Sequence, residues 1–219
     1  MLEEVLYPGL PTANWQMLNS ERMALMGLLA QVRPKNVLEV GVYHGGSLSL
    51  IAKFAQHVWA CDIDPEVPGR FAVPKNVDLR IGAPETVLTD LLSELDAKSI
   101  GLDLVLIDAD HSAAGVRRDI ERIIHRRFLP AGPMFIVMHD SGNPECRRGM
   151  ASADWASCPY VHAVELDFVP GQIRGGEVWG GLGLAYLNSS PRHGELSISA
   201  GAADTVRALH GATAGGQPH

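Results

Sequence analysis

Three runs of the chain, Val37-Leu38-Glu39-Val40, Leu104-Val105-Leu106-Ile107 and Phe135-Ile136-Val137-Met138, are almost continuously apolar, while the segments between them repeat apolar residues at helical spacing. A run without polar alternation suits a strand covered on both faces, and a three-to-four-residue repeat suits a helix lying on it. Carried out to the nearest turn signals, the pattern predicts strands over Asn36–Gly41, His57–Asp62, Val77–Ile81, Asp103–Asp108 and Met134–His139, with helices over Ser47–Ala55, Glu85–Leu95 and Ser112–Phe128. Strand and helix in regular alternation imply an α/β fold, a doubly wound and mostly parallel sheet with helices on both faces.

The two ends depart from that rhythm. Residues 1 to 13, with Pro8, Gly9 and Pro11, read as an irregular lead-in, after which Ser20 is expected to cap a helix through Val32 that Pro34 stops. Its stripe of Met23, Met26, Leu29 and Val32 reads as core or as an oligomer contact. Beyond Asp140 a Gly/Pro-punctuated stretch leads to two strands, Val161–Phe168 and Gly183–Leu187, whose simplest arrangement is a closing C-terminal antiparallel hairpin. Residues 189–219 are rich in Ser, Gly, Ala and Pro, with a weak helical patch at Asp204–His210, and are expected to be a loosely attached tail. The expectation is a single domain over 1–188, of which 1–34 is an N-terminal helical segment.

Composition narrows the functional classes. An apolar fraction of 46% over 219 residues is ample for one buried core, and a net charge of −7 disfavours a partner that presents phosphate backbones, so no nucleic acid is expected. The arginines at 117, 118, 122, 126 and 127, and at 147 and 148, read as solvated helix faces. Cys61, Cys146 and Cys158 form no C-x-x-C pair, so neither a disulfide scaffold nor a structural zinc is implied. No basic-then-apolar leader opens the chain and no apolar run approaches membrane-spanning length, which together point to a cytoplasmic protein without a membrane partner.

Candidate chemistry gathers where the predicted strands end. In an open α/β sheet ligands bind beyond the carboxyl ends of the strands, and here the first strand-to-helix turn reads Glu39-Val40-Gly41-Val42-Tyr43-His44-Gly45-Gly46-Ser47. Gly41 lets the backbone bend close to a ligand, and Gly45-Gly46 clears space before the next helix. The second strand ends in Cys61-Asp62-Ile63-Asp64-Pro65, which puts Asp62 where a ribose diol would sit, whereas Asp64 reads as a cap before Pro65. A glycine-bearing turn plus an acid is shared with dinucleotide enzymes, so an NAD(P)-dependent oxidoreductase is one alternative. That class wants G-x-G-x-x-G, and Tyr43 stands where its second glycine would be.

The pattern Glu39-x-Gly41-x-x-x-Gly45-x-Ser47 resembles the first motif of class I S-adenosylmethionine (SAM)-dependent methyltransferases, a Rossmann-like fold. The resemblance implies SAM as cofactor, with Gly41, Tyr43, Gly45, Gly46 and Ser47 along its methionine part. It also implies Glu39 fixing the loop or the ammonium, Asp62 on the ribose, Gly82 and Ala83 at the adenine, and Asp108 beside the methyl group.

The fourth strand ends in Ile107-Asp108-Ala109-Asp110-His111-Ser112 and the fifth in Val137-Met138-His139-Asp140, a concentration of polar groups that packing does not call for. Asp108, His139 and Asp140 could converge on one cation with His111 beside it, while Asp110 reads as a cap for the following helix. Between Val37 and Asp140, with weaker support from Trp179-Gly180-Gly181-Leu182-Gly183-Leu184, the chain resembles metal-dependent small-molecule O-methyltransferases, particularly the macrolide-sugar and cephalosporin-hydroxylase-like groups. The resemblance implies Asp108 and Asp140 as ligands of a divalent cation (Mg or Mn), and His111 as base.

His139 departs from the oxygen-donor pattern, and magnesium prefers oxygen while imidazole suits manganese, iron, nickel or zinc. A site held by Asp108, His139 and Asp140 and a site working without metal both stay open. The expected activity is methylation of a hydroxyl on a small-molecule acceptor, such as a sugar-bearing natural product, a saccharide or a phenol. His111 is the general base and Asp108 the second catalytic residue. A SAM-binding module without catalysis is the further alternative, and a homo-oligomer is the expected state.

Overall fold

The computed structural model describes residues 15–127, 132–174 and 176–201. In chain order the elements are α1 (Asn19–Val32), β1 (Asn36–Val40), α2 (Gly46–Phe54), β2 (His57–Asp62), a short α3 (Val67–Arg70), β3 (Val77–Ile81), α4 (Pro84–Ala97), β4 (Leu104–Ile107), α5 (Ala113–Ile124) and β5 (Met134–His139). They continue with α6 (Pro144–Ser152), β6 (Val161–Val169), β7 (Gln172–Arg174), β8 (Glu177–Trp179), β9 (Leu182–Leu187) and β10 (Ser197–Ser199).

One eight-stranded sheet runs β10-β6-β9-β5-β4-β1-β2-β3, and β7 and β8 form a separate two-stranded antiparallel ribbon. Strands β1 to β5 are mutually parallel, with β1 paired to β2 on one side and β4 on the other. Chain direction through the sheet therefore reverses between β1 and β4, and the crevice beyond their carboxyl ends is where such a fold offers a ligand site. The doubly wound, mostly parallel sheet of the sequence reading is the fold observed.

Each face of the sheet carries its own apolar layer. On one, Leu25 and Leu29 of α1 meet Leu48 and Ile51 of α2 and Leu104, Leu106 and Val137 of the sheet. On the other, Leu88, Leu91 and Leu95 of α4 and Ile120 and Ile123 of α5 cover Leu38, Val105 and Ile136. Burying one such side chain contributes roughly 1.5–3 kcal/mol, which is what holds the crevice walls in place. Among the described residues no helix is long and apolar enough to cross a membrane.

Several expectations change in the N-terminal and C-terminal thirds. Ser20 does not cap α1; the Glu21 carboxylate does so by accepting from the Leu18 backbone N–H at 2.6 Å. The helix ends at Arg33, whose φ of 48° takes the chain out of the helix before Pro34. The buried stripe of α1 is Glu21, Arg22, Leu25 and Leu29, and Met23 stands exposed. The predicted hairpin strands do pair antiparallel, but β9 inserts between β5 and β6 and the β7–β8 ribbon fills the connection.

The segment after Leu187 is not loose through its described length. β10 joins β6 in parallel, Arg192 donates to the carbonyls of Ala156, Cys158 and Val161, and Arg147 donates to the Ala200 carbonyl. These carbonyls act at a distance in sequence, so composition alone does not reveal them. The patch at Asp204–His210 and the lead-in 1–13 lie outside the described residues, as does Phe128 at the predicted end of α5.

Candidate active site

A cavity of about 1010 Å³ opens at the carboxyl edge of β1, β2, β3, β4 and β5, lined by Gly41, Asp62, Gly82, Asp108, His139 and Asp140 among others. Its size exceeds what one nucleoside-sized ligand fills, so it has room for a second molecule. The N-terminal segment (Gln16, Leu18, Glu21) and the β8 end (Trp179, Gly180) complete the wall away from the β2 end.

At the β1–α2 turn the geometry is set by backbone. Gly41 has φ +89°, and a β-carbon there would collide with the Asp108 carbonyl, so the end of β4 demands glycine at this bend. Asp62 closes the loop from the next strand: its Oδ2 accepts from the Val42 and Tyr43 N–H groups at 2.7 and 2.9 Å, and its Oδ1 from Asp64 at 2.9 Å. A carboxylate offers about four acceptor positions, so one stays available toward the cavity. Asp64 is held by the Glu66 N–H and by Arg70, whose guanidinium lies over the Tyr43 ring; it lines the cavity and does not cap α3, whose N-cap is Glu66.

Glu39, Gly45, Gly46 and Ser47 do not line the cavity but are buried behind its wall, and Ala83 lies outside it, exposed. A β-carbon on Gly45 would meet the Phe71 ring at 2.6 Å and one on Gly46 the Trp15 ring at 2.7 Å, so side-chain packing, not ligand approach, accounts for this glycine pair. Ser47 donates to the fully buried Glu39 Oε1 at 2.5 Å, which ties β1 to the first turn of α2. Burial lifts the Glu39 carboxyl to about 8, with Asp108 and Asp62 adding to the rise and Ser47 opposing it. Ala83 starts α4, its carbonyl accepting from Thr86 and Val87.

At the β4 and β5 ends the groups are charged and face one another. His139 Nδ1 lies 3.0 Å from Asp108 Oδ1 and 3.6 Å from Asp140 Oδ2, and its Nε2 lies 3.2 Å from Glu21 Oε2. His111 Nε2 sits 3.5 Å from Asp108 Oδ1 and 3.3 Å from Asp140 Oδ2, with its side chain half exposed to the cavity. Asp140 takes a φ of +58°, a conformation that L residues adopt at a cost, and its Oδ1 accepts from Gly180 N–H at 3.1 Å. This backbone bend turns the Asp140 carboxylate back toward His111 and His139.

Burial alone would raise Asp108 and lower His139, but their mutual attraction dominates. Asp108 is held well below the usual carboxylate range by His139 and His111, and His139 is held well above the ordinary imidazole value by Asp108, Glu21 and Asp140. The bond to Asp108 likewise raises His111, against partial burial and with help from Asp140. Glu21 ends below its ordinary value because His139 and the Gly181 and Leu18 N–H groups outweigh its burial. Asp110 does not cap α5: Ser112 does, accepting from Gly115 N–H at 3.0 Å, while Asp110 accepts from Ser112 N–H and pairs with Arg118.

Asp108, His139 and Asp140 each turn one donor atom to a common point, all within 4.8 Å of one another. His139 has its second ring nitrogen backed by a carboxylate, the support that ligating histidines commonly have. The residues present therefore fit a divalent cation, and one oxygen-oxygen-nitrogen face suits manganese, iron or zinc better than magnesium. A second grouping, His111 with Asp140 and Cys146, fits less well, because burial pushes the Cys146 thiol up to about 12 and away from the thiolate a metal binds.

Glu21 is the site residue that the sequence reading missed. Its signal was a charge on an apolar stripe, at the i position of Glu21, Leu25 and Leu29. Trp179, half exposed at the mouth, ends β8 and opens the Trp179–Leu184 stretch that lent the resemblance its weaker support.

Residues 38–141 match the family described as "Methyltransferase domain". No curated protein matches the chain. Among solved structures the chain is similar in fold to a Klebsiella pneumoniae protein provisionally assigned as an O-methyltransferase (19% identity, TM-score 0.59, covering 86% of this chain and 94% of that one). It is similar also to an O-methyltransferase of Bacillus cereus in complex with S-adenosylhomocysteine (15%, 0.55, 86% and 88%). A third is the O-methyltransferase of tomaymycin synthesis from Streptomyces achromogenes in complex with SAM (19%, 0.55, 85% and 86%).

Proposed function

We propose that the chain, whose residues 38–141 match a methyltransferase domain, is a SAM-dependent methyltransferase that methylates a hydroxyl group of a small molecule. SAM occupies the Gly41–Asp62–Gly82 side of the cavity, and the acceptor enters between His111, Asp140 and Trp179. The observation that carries this reading is His111: an imidazole half exposed to the cavity, its Nε2 3.3 Å from Asp140 and 3.5 Å from Asp108.

The sulfonium of SAM already provides the leaving group, so the protein's work is to align the acceptor oxygen and to take its proton. His111, whose Nε2–H is directed at the two aspartates, accepts that proton at its other ring nitrogen, Nδ1, as the hydroxyl oxygen attacks the methyl carbon. The carbon–sulfur bond breaks as the oxygen–carbon bond forms. Holding both molecules in attack geometry can supply on the order of 7–11 kcal/mol of barrier reduction at the favourable limit.

A divalent cation held by Asp108, His139 Nδ1 and Asp140 would lower the pKa of an acceptor hydroxyl and fix its position. The sugar, saccharide or phenol class of the acceptor belongs to this proposal, supported by the room left beside a SAM-sized ligand and by the apolar surface of Trp179 at the mouth.

The test is transfer of a labelled methyl group from SAM to a panel of hydroxylated metabolites, with and without exhaustive EDTA dialysis. Activity is expected to vanish on dialysis and return with Mn²⁺, and His111→Ala is expected to stay inactive after Mn²⁺ is restored. Undiminished turnover by the alanine variant would remove His111 as base. Undiminished turnover after dialysis would leave a metal-free reaction.

A further inference from the structure

We propose that Glu21 of α1 is a positioning residue for the reaction centre, presenting His139 Nδ1 to Asp108 and Asp140 and so setting the site's affinity for a divalent cation. This rests on the metal-assisted reading above.

Glu21 is completely buried on the apolar face of α1. A carboxylate in such a place is strongly unfavourable unless every oxygen is satisfied. Here Oε2 accepts from Leu18 N–H at 2.6 Å and faces His139 Nε2 at 3.2 Å, while Oε1 accepts from Gly181 N–H. The partners lie 118 and 160 residues away in sequence, so one side chain joins α1, the end of β5 and the β8–β9 turn. A β-carbon on Gly180 would collide with Glu21 Oε1, so the turn is shaped around this carboxylate.

Capping α1 does not explain the burial, because a glutamate at the third helical position can reach back to the N-cap N–H from a solvent-exposed helix start equally well. His139 does explain it. With Nε2–H donated to Glu21, the ring presents Nδ1 to the cavity side, where Asp108 is 3.0 Å and Asp140 3.6 Å away. A carboxylate behind a ligating imidazole fixes both the ring orientation and which nitrogen carries the proton. An amide in its place would set its NH₂ group either against Gly181 N–H or against Leu18 N–H and His139 Nε2–H together, and the second arrangement favours the ring form whose free lone pair points away from Asp108.

Calorimetric titration with Mn²⁺ of the full-length protein and its Asp108→Asn, Glu21→Gln, His139→Ala and Glu21→Gln/His139→Ala variants tests this, with SAM titration as the control. Glu21→Gln is expected to weaken Mn²⁺ binding by about 10- to 100-fold while leaving SAM affinity within about twofold, and to add no further loss in the His139→Ala background. Glu21→Asp, which keeps the charge without its reach, carries the same expectation and replaces the amide variant if that one does not fold. Wild-type Mn²⁺ affinity in Glu21→Gln, even with a lower melting temperature, would reduce Glu21 to a structural role and leave the metal site standing. Absence of Mn²⁺ binding by the wild-type protein would overturn the metal reading and this proposal together.

Discussion

Two strand-end aspartates, Asp62 and Asp108, line the same cavity and live in opposite surroundings. Asp62 is engaged by backbone: three N–H groups from Val42, Tyr43 and Asp64 converge on it, and it shapes the loop along which a donor molecule would lie. Asp108 is engaged by imidazoles, with His139 at 3.0 Å and His111 at 3.5 Å, each held in turn by another carboxylate. Backbone N–H groups cannot change charge or leave, so the Asp62 end is a fixed mould. The Asp108 end consists of groups that can exchange protons or give way to a cation. The wall between them rests on Glu39, a buried carboxyl that feels both aspartates.

If this division is right, the sharpest break comes from Asp108→Asn. Methyl transfer should fall by about 10²–10⁴-fold, the usual range for losing general acid–base machinery, with SAM affinity by calorimetry nearly unchanged. A matching loss of SAM affinity would erase the distinction between the two ends.

Glu39→Gln probes the wall. Burial holds the Glu39 proton up to about pH 8, whereas the unfolded chain releases it near the ordinary glutamate value of 4.5. The folded state thus binds more protons than the unfolded one between those values, and this carboxyl makes the protein less stable as pH rises through the window. The amide variant should therefore gain on the wild type steadily from pH 5 to 8 in denaturant titrations, by an amount on the order of a few kcal/mol at the upper end. A difference that stays flat with pH would mean the carboxyl is ionised as in water.

The smallest effect belongs to Asp62→Asn, which weakens the grip on the Val42–Tyr43 turn. SAM should bind about tenfold more weakly, about 1.4 kcal/mol, while turnover at saturating SAM is retained. Loss of turnover at saturation would show that the mould also aligns the methyl group.

The contrast extends to how far each end could be read from residue order. The Gly41–Ser47 turn and Asp62 were legible because β1, its turn and β2 are contiguous, and their apolar runs and turn residues state the local structure directly. What each glycine is for was not legible: Phe71 sits under Gly45 and Trp15 under Gly46, contacts that only packing reveals. At the chemical end the strand termini of β4 and β5 announced Asp108, His111, His139 and Asp140, since parallel neighbours must end in one layer. The α6 helix went unread although Asn143 caps it and Pro144 opens it, a recognisable start signal.

Residue order by itself determined the parallel sheet, the crevice at the β1–β4 reversal and the pairing of a glycine turn with two strand-end acids, because each follows from periodicity and chain continuity. Only the tertiary structure decided that Glu21 reaches His139 from α1, that Asp140 bends to a positive φ toward His111, and that β10 and Arg192 fasten the segment after Leu187. The reason is physical. Local pattern reports which faces of an element are buried, whereas the partner of a buried charge is chosen by where distant elements happen to dock.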